Sequence, residues 1–158
     1  MISKFYYIIA FISFLCCSSA KTLSDVIKDT DGCPIIEKVD STKVYYIKED
    51  GIKMIAYLGG IEFNGGKDVL KELLDSVYYN NPDYHNYSEF NVLENFFILF
   101  DNNLNIKEVR VMYRIYADNE RYYYDNIFVD ALKNTTGLWH KTIENQEWYV
   151  YLHRQRIY

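Results

Sequence analysis

With 158 residues the chain has room for one domain and a short export segment, and its 49% hydrophobic content is enough for a packed core. A formal net charge of −5 argues against nucleic acid as a partner, because that binding needs a basic surface to displace counterions. Aromatic residues make up 18%, among them 17 Tyr, whose apolar ring and polar tip suit a half-buried sheet or a binding face.

Residues 1–20 read as a secretory signal: Lys4 is the basic start, residues 5–17 the apolar stretch, and Ser18-Ser19-Ala20 the small residues before a cut near Ala20. The apolar run is shorter than the ~20 residues of a comfortable membrane span. A buried N-terminal helix is the competing reading. Cleavage places the chain in the periplasm or outside the cell. Cys16 and Cys17 raise a lipid tether to the membrane instead, although Ser13-Phe14-Leu15 fits a lipoprotein cleavage site poorly. With residues 1–20 removed, Cys33 has no cysteine to pair with, and a buried thiol is expected.

Residues 21–42 are polar, contain Gly32-Cys33-Pro34 and show no period, which predicts a linker or arm. Two β-rich runs, 43–47 and 52–58, flank Lys48-Glu49-Asp50-Gly51, and Asp50-Gly51 is a strong turn signal, so residues 43–60 are expected to form a β-hairpin.

Residues 61–158 read as the main domain. Asn64 can cap a helix and Gly65-Gly66 permit a tight entry. Val69, Leu70, Leu73, Leu74, Val77 and Tyr78 then form one apolar stripe, which Asn80-Asn81-Pro82 stops. A polar, Tyr-rich stretch at 83–89 reads as a loop. Phe96-Phe97-Ile98-Leu99-Phe100 is unbroken apolar sequence, as in a strand covered on both faces or central in its sheet. After a turn at Asn102-Asn103-Leu104-Asn105, Val109, Val111 and Tyr113 alternate with Glu108 and Arg110, which predicts a half-exposed strand. A second helix follows Tyr122-Tyr123-Tyr124, with Ile127, Phe128, Ala131 and Leu132 inward. Gly137-Leu138-Trp139, a turn at 144–147 and a last strand at 148–158 close the series.

In order and spacing, residues 61–158 resemble the C-terminal domain of TonB in its Bacteroidetes-type secreted form. The family's Phe-Pro-Gly-Gly is matched by Phe63-Asn64-Gly65-Gly66 except at the Pro. Its Tyr-Pro element is matched by Tyr78-Tyr79, with Pro82 late. Its Asp-x-x-Gly turn is matched by Asp101-Asn102-Asn103-Leu104 without the Gly, and its Gly-x-Trp by Gly137-Leu138-Trp139, with Lys141 where a Pro is usual. The resemblance implies an α+β fold: a small three-stranded antiparallel sheet on two helices, here extended by the N-terminal hairpin. It also implies that an extended segment of an outer-membrane transporter, or another envelope protein, adds to the edge of the last strand. That edge is Trp148, Tyr149, Val150, Tyr151, Leu152, His153 and Arg154. An unpaired edge offers a row of backbone donors and acceptors to such a segment. Two Pro and a polar stretch of at most 40 residues, ~130–140 Å fully extended, argue against a periplasm-spanning energy coupler and for a binding module.

No catalytic set competes with this reading. His85, His140 and His153 lack metal-ligand spacing, Asp83 with His85 is a weak pair, and nothing marks Cys33 as activated. There is no Gly-x-Ser-x-Gly elbow or phosphate loop, so neither an enzyme nor a cofactor is expected. The alternative is a Tyr-rich secreted structural protein whose loops at 84–87 and 113–124 contact glycan or protein.

Overall fold

The computed structural model describes residues 26–80, 92–115 and 124–157. The signal-like segment 1–20, Cys16 and Cys17, the loop at 83–89 with His85, and most of the 113–124 stretch lie outside the described residues. Nine strands and two helices are present among the described residues: β1 Val26–Lys28, β2 Pro34–Lys38, β3 Lys43–Ile47, β4 Lys53–Leu58, β5 Ile61–Phe63, α1 Gly66–Tyr79, β6 Val92–Asp101, β7 Ile106–Arg114, α2 Tyr124–Lys133, β8 Trp139–Lys141 and β9 Trp148–Ile157.

The expectation of a three-stranded sheet is overturned. Seven strands form one mixed sheet in the order β1-β2-β3-β4-β9-β6-β7, and β5 with β8 forms a separate two-stranded piece. The stretch read as a linker supplies β1 and β2, with Ile35 and Ile36 buried. The hairpin at 43–60 does not merely extend the sheet. Its strand β4 runs parallel to β9, pairing Tyr57 with Tyr149 and Leu58 with Val150, and so joins two antiparallel blocks into one sheet.

Alternation along the strands gives the sheet two apolar faces. Phe96, Ile98, Phe100, Val109, Val111 and Tyr149 face α1 and α2, where Leu70, Leu74, Phe128 and Leu132 meet them. Trp139 sits in this core with its ring edge-on to Phe63, Phe100 and Tyr151, and its indole N–H donates to Thr135 Oγ1 at 2.9 Å. On the opposite face, Phe97, Leu99 and Val150 meet Ile35, Ile36, Val44, Tyr46 and Ala56, which belong to strands of the same sheet. Only a strongly coiled sheet can do this. Tyr46 stacks on Phe97 with centroids 5.8 Å apart, although two strands lie between β3 and β6 in the sheet. The two ends of the sheet meet: Thr30 N–H donates to Val111 C=O at 3.0 Å, and Arg110 pairs with Asp29 at 3.4 Å. Phe96 to Phe100 are thus covered on both faces, as their unbroken apolar run predicts.

Helix α1 is capped differently from expectation. Gly65, at φ 93°, is the N-cap and makes no side-chain cap, while Asn64 Oδ1 bonds His140 Nδ1 at 2.9 Å. The helix ends at Asn80, in agreement with the stop signal.

Candidate functional site

The structure places the expected binding strand inside the sheet. Antiparallel β6 pairs with β9 along its whole length, from Asp101 opposite Trp148 to Val92 opposite Ile157. On the other side, β4 reaches only Tyr149 and Val150. Trp148, Tyr149 and Val150, three of the seven residues of the expected edge, are therefore closed to a partner.

Beyond Val150 the geometry changes. Gly59 N–H donates to Val150 C=O at 2.8 Å, so the backbone polar groups of Val150 face β4. The β6–β9 register has no bulge, so every second residue keeps this orientation. Leu152 and Arg154 accordingly turn their N–H and C=O groups to the β4 side, where no strand follows among the described residues. Tyr151, His153 and Gln155 turn theirs to β6. The open edge among the described residues is thus Leu152 and Arg154.

The side chains divide in the same rhythm. Leu152 is 39% exposed and Arg154 and Arg156 are exposed on one face. Arg154 makes no ion pair among the described residues. In register across the strands, Arg154 lies beside Asn95, and Asn95 beside the half-exposed Tyr113.

On the other face, Tyr151 is half-buried while His153 and Gln155 are buried under α1. Gln155 Nε2 donates to Asp75 Oδ1 at 2.5 Å, and Asp75 is also paired with Lys71. The Gln155 Oε1 atom lies 3.0 Å from His153 Nε2 and can only accept, which puts the imidazole proton on Nε2. Burial holds the His153 pKa below its usual 6.5, against the pull of the Gln155 bond and the Asp75 charge. This polar chain ties β9 beyond Val150 to α1 in place of a neighbouring strand. No periodicity or spacing in the sequence signals it.

The remaining candidates are dispersed. Cys33, expected to be buried, is exposed in the turn between β1 and β2, where Asp29 Oδ1 accepts its N–H at 2.8 Å. His140 is exposed beside Asn64. No group of metal-ligating side chains occurs among the described residues. No family model, curated protein or solved structure matches the chain.

Proposed function

We propose that the chain is an exported, non-catalytic binding module that takes an extended segment of an envelope protein as an added strand along β9 beyond Val150. The reading rests on one observation: two alternate residues, Leu152 and Arg154, present outward backbone pairs at an edge without a strand partner among the described residues. The TonB-like motifs imply the same mode of binding, with an outer-membrane transporter as one such envelope partner.

Strand addition offers the segment two donors and two acceptors. At about 1 kcal/mol net for each bond, the backbone alone supports an affinity no tighter than about millimolar, so side-chain contacts supply the rest. Selectivity comes from side chains on the exposed face. Leu152 favours an apolar neighbour, and the guanidinium of Arg154 favours an acidic one directly across the new ladder.

Leu152→Pro tests this. It removes one outward donor and no bond to β6, so circular dichroism should report an intact fold. Binding of an acidic, alternating extended peptide should weaken at least tenfold. A folded variant that binds as tightly as the parent overturns the proposal.

A further inference from the structure

Strand β7 carries another backbone edge that has no neighbouring strand among the described residues, and here the edge opens into a cleft. Tyr113, Arg110 and Glu108 pair with β6 residues whose polar groups face β7, so Val109 and Val111 turn theirs outward. One outward group is in use: Val111 C=O accepts from Thr30 N–H at 3.0 Å. The chain's own turn thus already adds backbone to this edge. The N–H and C=O of Val109 and the N–H of Val111 have no backbone partner among the described residues.

A cavity of about 610 Å³ lies against these groups, within the usual size range of ligand sites. It is bounded by α2 at Asp125 and Val129, by the β1–β2 turn at Asp29 to Cys33, and by the β3–β4 turn at Ile47 to Gly51. An incoming strand beside β7 would therefore enter a slot with walls on both faces, unlike the open edge of β9.

The charge in the slot is unbalanced. Arg110 meets three carboxylates: Asp29 at 3.4 Å, Glu49 at 3.9 Å, and Glu108 in direct contact. Asp31 adds a fourth at the exposed rim, and Lys48 is the other cation lining the space with Arg110. The side chain of Glu49 is 92% exposed and reaches Arg110 only at the limit of an ion pair. Two cations, Arg110 and Lys48, against these four carboxylates leave negative charge uncompensated at the mouth, while Ile47, Val109, Val111 and Val129 supply apolar walls.

We propose that this cleft is a second docking site, which takes an extended segment of another protein carrying a Lys or Arg between small aliphatic residues. Its backbone adds to β7 at Val109 and Val111, and its cation sits between Asp31 and Glu49. The occupant differs in charge from the acidic segment assigned to β9, so the two sites are separable.

Cys33 lines the cleft and reports on its occupancy. The experiment uses the full chain, a capped alternating Val/Thr peptide with one central Lys, and iodoacetamide, with Cys33 alkylation read by peptide-level mass spectrometry. The Lys peptide should slow Cys33 alkylation at least fivefold at saturation. Its Glu counterpart should bind the cleft at least tenfold more weakly, and Asp31→Lys with Glu49→Lys should reverse the order. Backbone N-methylation on the pairing side should abolish protection. Equal protection by the Lys and Glu peptides, by the N-methylated peptide or by spermidine overturns the proposal, and so does no protection at all.

Discussion

The carboxylate of Asp101 accepts the N–H groups of Asn103 and Asn105, both at 2.9 Å, and holds the turn in which Leu104 stands at φ 61°. A residue with a side chain at this φ is strained by ~1–2 kcal/mol. Leu104 is held because its side chain packs partly buried against the helix-facing core. Burial alone would raise the Asp101 pKa, but the Asn105 bonds and the Lys107 ammonium at 2.9 Å outweigh it and bring it to about 2. His153 departs from its usual value in the same downward direction, for burial reasons. Both groups therefore bind fewer protons folded than unfolded, and both lose stability as pH falls. Two separate declines are expected in a urea titration series. One starts below pH 6.5 and disappears in His153→Gln, which keeps an N–H donor without titrating. The other runs from about pH 4 to 2, amounts to ~1 kcal/mol after allowance for solvent around the loop, and disappears in Asp101→Asn. A curve that stays flat from pH 7 to 5 contradicts the assignment for His153.

At the scale of elements, long periodic segments were legible and short ones were not. The stripe from Val69 to Tyr78 announces α1, and its buried members Leu70, Leu74 and Tyr78 fall on one face. The motif Gly137-Leu138-Trp139 announces a chain reversal after α2, with Gly137 at φ 86° and Trp139 buried. By contrast β1, β5 and β8 have three residues each, too few to show a period. In β2, Ile35 and Ile36 are adjacent and both buried, so no alternation betrays the strand. The position of β9 was hidden for another reason: its neighbour β4 lies some 90 residues earlier and pairs through only two positions. Proline scanning along β9 reads out that placement. Leu152→Pro leaves the ladder to β6 intact, whereas His153→Pro removes a ladder donor in the interior and should unfold the chain by circular dichroism. Equal tolerance at both positions contradicts the stated orientation of the strand. In the core, Trp139→Ala forfeits three aromatic contacts and the bond to Thr135, and should cost about 3–5 kcal/mol in urea unfolding.

For the whole molecule, the sheet's coiling explains both the overturned fold expectation and the exposed edge at Leu152 and Arg154. The hairpin strands fold over Phe97, Leu99 and Val150, adding a second apolar core that the three-strand expectation lacked. The same coiling pulls β4 away after Leu58, because Gly59 and Gly60 at φ 82° and 74° turn the chain out of the sheet. Leu152 and Arg154 are left without a strand beside them among the described residues as a result. The apolar and polar pattern of residues 148–154 suits either a covered or an open strand, so it does not show that β4 stops at Val150. The central claim is that Leu152 and Arg154 face an open edge that a partner strand completes, and amide hydrogen exchange tests it residue by residue. In the unbound chain, the amides of Leu152 and Arg154 should exchange fast while those of Tyr151, His153 and Gln155 are protected. On binding an acidic extended peptide, the first two should slow at least tenfold and the other three should change little. Slow exchange at all five without peptide, or no change at Leu152 and Arg154 on binding, contradicts the account.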